Sequence, residues 1–273
     1  MITLLAAIAL SDDCCASMKE FTKDPSFRAE HLAPELLDFK PQHGSMKKLT
    51  VVGGPEANVF VVPAKEGNNV AVIMIHEWWG LNDYIKREAE RLHIATGYAV
   101  LAVDMYDGKV ATSSEQAGEF VRAVKDERSH AILKSLIEGA RGGGVTGKPA
   151  TKIGTIGYCF GGGWSFQAAL KNGALVDACV LYYGMPETDA SKLSTLSAPV
   201  LGVFGKKDAR LGPELVGKFA QAMATATKPL DIRMYDAVHA FANPSNPNYD
   251  KVSADKAWAE TLAFFGRYLG HSS

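Results

Sequence analysis

One stretch of this sequence has residue types and spacing suited to nucleophilic chemistry. A largely apolar, β-prone segment, Ile153 to Gly157, runs into Gly157-Tyr158-Cys159-Phe160-Gly161-Gly162-Gly163, and a helical pattern follows. This is the nucleophile-elbow pattern G-x-S-x-G with Cys in place of Ser. A nucleophile in a tight strand-to-helix turn needs neighbours without bulky side chains, which explains the glycines two before and two after it. Such a turn lifts the thiol above the sheet and sets it at a helix N-terminus. There the free N–H groups and the dipole favour a thiolate and a developing oxyanion.

A thiol nucleophile needs a base and a group that orients the base. On a parallel sheet of this type these follow in the chain order nucleophile, acid, His. Ala198 to Gly205 reads as a strand whose following loop carries Asp208, and the loop after the next strand, Asp231 to Tyr235, carries His239. Asp236, a rival orienter, lies only three residues before His239 and reads as a turn residue. The backbone N–H of Phe160 is the expected first oxyanion donor. The second is expected from Trp78, in the loop His76-Glu77-Trp78-Trp79-Gly80 that follows an earlier strand. A Glu77 carboxylate near the thiol would hold it as S–H by like-charge repulsion.

Other signals carry less. Gly142 to Lys148 spells G-x-x-x-x-G-K, but Pro149 stands where Ser or Thr must ligate magnesium, and the segment leads from helix to strand. His76-Glu77 has no second His at helical spacing, so a zinc-protease reading fails. Of the four cysteines, at 14, 15, 159 and 179, Cys179 lies within a strand and reads as a core thiol. The adjacent Cys14-Cys15 pair suits a disulfide poorly. No C-x-x-C occurs.

Gly157-Tyr158-Cys159-Phe160-Gly161-Gly162, the His76 to Asn82 segment, Asp104-Met105-Tyr106, Asp208 and His239 together resemble the dienelactone hydrolase family of the α/β-hydrolase fold. The likeness covers about residues 49 to 270. It implies a Cys159-His239-Asp208 triad, with Glu77 as the family's glutamate that contacts the resting thiol. It also implies hydrolysis of lactones or small esters without metal or cofactor. Where the family has a carboxylate-binding arginine four residues after the histidine, this chain has Asn243; Arg122 and Arg128 are candidates for a second anion-binding arginine. Losing a guanidinium removes a bidentate clamp, so a neutral or differently shaped ester is expected rather than dienelactone itself. Trp79, Tyr106 and Asn243 are the expected pocket residues, with Trp78 and Phe160 adding apolar surface. Two other readings stay open: a small-molecule binding protein on a hydrolase scaffold, and an acyltransferase.

The elements that must position these groups alternate between strand and helix. Leu49 to Val52 and Asn58 to Val62 predict a hairpin or meander, and Val70 to Ile75 and Tyr98 to Val103 buried strands. A helix capped at Asn82 or Asp83 is expected before Gly97, and a long charged one over about 114–140. Further strands are expected at 153–157, 177–183, 200–205 and 230–235, with helices at 162–170, 213–225 and 252–269. The pattern predicts an α/β fold, a mostly parallel sheet with helices on both faces, in one domain from 47 to 273. Residues 1 to 46 read as an N-terminal extension lying on that domain.

The 273 residues, with 29 Lys+Arg against 30 Asp+Glu and 47% hydrophobic residues, suit a globular chain with a large core. The balanced charge argues against a nucleic-acid partner. The apolar run Ile2 to Leu10 is too short to span a membrane. Read as the remains of a signal segment, it favours a periplasmic or secreted location, with the cytoplasm as the alternative. Oligomeric state is not readable from the sequence.

Overall fold

Long runs of β-branched and apolar residues, bounded by glycine and polar turns, build the sheet in this computed structural model, which describes residues 14–35 and 37–270. Its eight strands are β1 (Ser45–Leu49), β2 (Ala57–Val62), β3 (Val70–Ile75), β4 (Ala99–Val103), β5 (Lys152–Tyr158), β6 (Ala178–Tyr182), β7 (Val200–Gly205) and β8 (Leu230–Tyr235). They lie in the order β1-β2-β4-β3-β5-β6-β7-β8. Antiparallel pairing is confined to β1 with β2 and β2 with β4; the rest of the sheet is parallel. Strands β3, β4, β6 and β7 are buried along their whole length, as parallel strands covered by helices on both faces must be.

Two boundaries differ from those read in the sequence. The first strand lies at 45–49 rather than 49–52, because Leu49 pairs with Ala57 and Val51–Gly54 form the turn. The charged stretch is two helices, α4 (Ser114–Ala123) and α5 (Asp126–Gly142). Val124 and Lys125 are extended between them, and periodicity alone does not reveal that break. The other main-domain helices are α3 (Asp83–Thr96), α6 (Phe160–Asn172), α7 (Pro213–Thr225) and α8 (Lys251–Leu269). The Asn82 side chain caps α3 by accepting the Ile85 N–H at 3.2 Å, and Gly97 ends it in the left-handed conformation.

Strand register places the functional loops. Ile75 is level with Gly157, Tyr158 with Tyr182, Tyr182 with Val203, and Gly205 with Tyr235. The loops that follow β3, β5, β6, β7 and β8 therefore all open on the carboxyl edge of the sheet.

The N-terminal extension holds α1 (Cys14–Phe21) and α2 (Pro25–Glu30). Lys19 bonds Asp126 at 2.7 Å, Asp24 pairs with Arg210, and Arg122 donates to Thr22 Oγ1 at 3.1 Å. Farther along, the Leu32 carbonyl accepts from Asn246, and the Glu35 N–H donates to the Ser245 carbonyl at 2.7 Å. The N–H groups of Gln42, His43 and Gly44 all donate to Glu90 Oε1. These anchors carry the extension across the carboxyl edge. The candidate signal stretch 2–10 and the Cys14 and Cys15 side chains lie outside the described residues. Among the described residues no helix is long and apolar enough to cross a membrane.

Candidate active site

The turn after β5 has the geometry its glycines imply. Cys159 sits at φ 54°, ψ −115°, a conformation uncommon for a residue with a side chain. A Cβ on Gly157 would lie 1.9 Å from the Gly161 carbonyl oxygen, and one on Gly161 would lie 2.3 Å from that of Ile75. No side chain fits at either position, so the chain can bend sharply there and leave the thiol at the start of α6. Cys159 is buried, and its N–H donates to the Tyr182 carbonyl at 3.0 Å. The other thiol, Cys179, is inside β6, where burial pushes it up to about 11.

Asp208 and His239 meet from adjacent loops: His239 Nδ1 donates to Asp208 Oδ2 at 2.7 Å. The other carboxylate oxygen accepts the N–H groups of Arg210 at 3.0 Å and Leu211 at 2.9 Å. Burial alone would raise the Asp208 pKa. The charge and hydrogen bond of His239, with the two backbone donors, outweigh it and hold the carboxyl at about 2. His239 shows the converse. Burial opposes its charge, but Cys159 and Asp208 together raise it well above the ordinary imidazole value. One ring nitrogen of His239 lies within 4.8 Å of Cys159 Sγ, and Nδ1 is committed to Asp208, so Nε2 is the nitrogen available to the thiol.

Glu77 is buried in the loop after β3. Its Oε2 accepts from Asn243 Nδ2 at 2.7 Å, and Asn243 Oδ1 in turn accepts from the Ser245 N–H and hydroxyl. The Asn243 side chain, expected in the substrate pocket, is thus fully buried behind the carboxylate and fixes it there. His76 is locked beside it, with Nδ1 on the Glu77 carbonyl at 2.5 Å and Nε2 accepting the Met105 N–H at 3.1 Å. A ring bound on both nitrogens holds the backbone of the Glu77-Trp78 turn against the start of the loop after β4. Trp78, Trp79, Tyr106 and Phe160 are all buried. Trp78 stacks edge-on to Trp79, and Tyr106 packs 5.4 Å from Phe160, centroid to centroid. The N–H of Phe160 belongs to the first turn of α6, where helix geometry supplies no acceptor.

Burial drives the Glu77 carboxyl up to about 7, against the opposing pull of Asn243 and His239; Glu88 adds a like-charge push. The proton is held more tightly in the folded state than in the unfolded chain. The resulting stability is complete below about pH 4.5 and is lost as pH rises through about 7. Glu77→Gln keeps an oxygen for Asn243 and removes the titration. It is expected to gain stability over wild type on going from pH 5 to pH 8, by at most about 3 kcal/mol. Urea unfolding of both proteins at the two pH values checks this; an unchanged difference refutes it.

Two residues at the site gave no signal in the sequence. Tyr183, just after β6, sits at φ 37° with its ring centroid 5.0 Å from that of His239. His31, just after α2, has its ring centroid 4.5 Å from that of His239 and 4.9 Å from that of Trp78. Phe27 closes the same side, edge-on to Trp78 at 5.6 Å. The extension thus forms a roof over the candidate nucleophile, leaving Cys159 3% and His239 7% exposed. Of the arginines considered for an anion, Arg122 is occupied by Thr22, and Arg128 donates to the Glu56 carbonyl at 3.1 Å.

With this geometry in place, comparison with known proteins decides the family. The dienelactone hydrolase family profile matches residues 57–269. The chain belongs to the dienelactone hydrolase family. Protein usf of Aquifex pyrophilus is 31% identical over 224 residues, covering 79% of this chain and 95% of that protein. A Methylorubrum extorquens protein provisionally named a carboxymethylenebutenolidase is 30% identical over 223 residues, covering 76% of this chain and 75% of that one. The fold matches a Klebsiella pneumoniae crystal structure provisionally assigned as a dienelactone hydrolase. The TM-score is 0.72 at 24% identity, over 83% of this chain and 100% of that chain. The chain is thus an α/β-hydrolase-fold enzyme of the ester and lactone hydrolase class. The family match begins after the roof-forming extension, so Phe27 and His31 are additions to the matched region.

Proposed function

We propose that this dienelactone hydrolase family member cleaves small, uncharged carboxylic esters or lactones through a thioacyl intermediate on Cys159, with His239 as base and Asp208 as the group that orients it. The observation that carries this reading is the His239 ring, tied through Nδ1 to Asp208 at 2.7 Å and with its remaining nitrogen available to Cys159. Asp208 fixes the Nδ1–H tautomer, which leaves Nε2 with the lone pair a base needs. The rise in the His239 pKa supports proton transfer from thiol to imidazole, because the ion pair so formed is stabilised by Asp208.

In the proposed reaction the Cys159 thiolate attacks the carbonyl carbon, and the N–H groups of Phe160 and Trp78 receive the developing oxyanion. His239 then gives its proton to the departing alkoxide oxygen, the C–O bond breaks, and the acyl group remains on sulfur. Deprotonation of a water by His239 and its attack on the thioester release the acid and restore the thiol. In a lactone, acid and alcohol leave as one molecule. Glu77 Oε1, Tyr183 Oη and His239 Nε2 are buried polar atoms without hydrogen-bond partners. Such atoms are costly unless a ligand satisfies them, which favours a substrate with polar oxygens. The commitment of Arg122 to Thr22 and of Asn243 to Glu77 favours an uncharged substrate over a carboxylate.

A panel of short-chain p-nitrophenyl esters, five- and six-membered lactones and thioesters tests the reading, with mass spectrometry of quenched enzyme to find the acyl adduct. Turnover with the adduct on Cys159 is expected. Turnover without any adduct overturns the thioacyl route, and no turnover across the panel overturns the function.

A further inference from the structure

The roof brings a third ligating group to the nucleophile. His31, His239 and Cys159 each present one ligating atom, and these atoms lie within 4.8 Å of one another; all three residues are buried. His31 Nδ1 is bonded to the Phe27 carbonyl at 2.6 Å, and His239 Nδ1 to Asp208 at 2.7 Å. In both rings Nδ1 is thus committed and Nε2 is the nitrogen left to ligate, and both Nε2 atoms are buried without a hydrogen-bond partner. One S–H can satisfy at most one of them. Two imidazole nitrogens and a sulfur turned toward the same point form a donor set suited to a cation that displaces the proton held between Cys159 and His239.

The arrangement has the features of a metal site rather than of accidental proximity. Ligating imidazoles almost always donate the other ring N–H to a carboxylate or a backbone carbonyl, and here one does each. Zn–N distances of about 2.0–2.1 Å and Zn–S distances of about 2.3 Å put tetrahedral ligand atoms about 3.3–3.6 Å apart. Shifts of about 1 Å would bring these atoms into that geometry. Two nitrogens and one sulfur select a borderline-soft divalent ion over magnesium or calcium.

We propose that Cys159, His239 and His31 form a three-ligand site for a divalent cation of the zinc class, and that filling it stops turnover by holding the nucleophile and the base. On binding, the one proton held between Cys159 and His239 passes to solvent as the S–metal bond forms. Both imidazoles bind neutral through Nε2, keep their Nδ1 protons and change no oxidation state. A fourth position is left for water. Because His31 belongs to the extension, the ion also pins the roof across the site.

Zinc and cobalt binding by the full chain tests this without substrate, so its outcome is separable from that of the hydrolase reading. Wild type is expected to bind one Zn²⁺ by calorimetry and to give a thiolate-to-cobalt charge-transfer band with Co²⁺. His31→Gln, which can still donate to the Phe27 carbonyl, is expected to bind Zn²⁺ at least roughly 100-fold more weakly. Cys159→Ser is expected to lose the band and provides the control should His31→Gln fail to fold. Where turnover is measured, each protein is compared with itself with and without zinc, and inhibition reversed by chelator is expected in wild type. A wild type without the cobalt band overturns the proposal, as does a His31→Gln protein that binds and is inhibited like wild type.

Discussion

Cys159→Ala is expected to lower kcat on p-nitrophenyl acetate by at least about 10³-fold while leaving the protein folded. The size of the effect follows from what the thiol supplies. Without it no acyl-enzyme forms, and only substrate binding and the oxyanion donors remain, which elsewhere leave a small residual rate over water. Retention of the fold follows from the turn. Alanine meets the positive φ of residue 159 as cysteine does, and the close approaches that shape the bend are made at Gly157 and Gly161. Cys159→Ser preserves the shape further, but its hydroxyl depends wholly on His239 for activation, so an intermediate rate is expected. Steady-state kinetics with circular dichroism on all three proteins checks this. Equal rates for wild type and Cys159→Ala would remove Cys159 from the mechanism.

Asp208→Asn is expected to lower kcat by about 10³- to 10⁴-fold, and the reason is a tautomer rather than a lost charge alone. Oδ1 of Asp208 accepts two N–H groups, from Arg210 and Leu211. In the variant the amide oxygen must take that place, since an NH₂ group there would face two donors. The NH₂ then points at His239 Nδ1 and forces it to accept. The ring proton moves to Nε2, which can no longer take the thiol proton. Asp208→Glu tests a different fault: it keeps the charge and the accepting oxygens but lengthens the arm, so it is expected to misplace the base without inverting the tautomer. The pair is read by single-turnover acylation rates, with the His239 ring nitrogens assigned by NMR. A His239 that keeps Nδ1–H in Asp208→Asn would refute the tautomer argument.

How much of this was legible in the sequence depends on the range of the interaction. The α6 elbow was legible because its causes are local: a glycine pattern and the switch from strand to helix periodicity. The parallel core was legible because strands buried on both faces read as continuous apolar runs, as at Val70–Ile75 and Val200–Gly205. The break between α4 and α5 was not, since Val124 suits a helical pattern although its backbone is extended. The strand at 45–49 was missed for a related reason: four of its five residues are exposed, so it lacks the hydrophobic signal of a buried strand.

Asn243 marks where local reading stops. Its position after His239 was visible, but its partner is Glu77, 166 residues away, and only the meeting of two loops on one sheet edge turns its amide onto that carboxylate. His31 is the stronger case. It lies in a polar segment with little periodicity, and one histidine there has no local feature to distinguish it. It reaches the site because Asp24–Arg210, Thr22–Arg122 and Leu32–Asn246 fasten the extension across loops far away in the chain. The sequence by itself determined the fold class, the strained turn at Cys159 and the chain order of Asp208 and His239, since each rests on residue type and short spacing. Only the tertiary structure decided that the extension closes over that turn and presents His31 to Cys159 and His239. That contact exists through long-range hydrogen bonds and ring packing, which leave no periodic trace in the residues that make them.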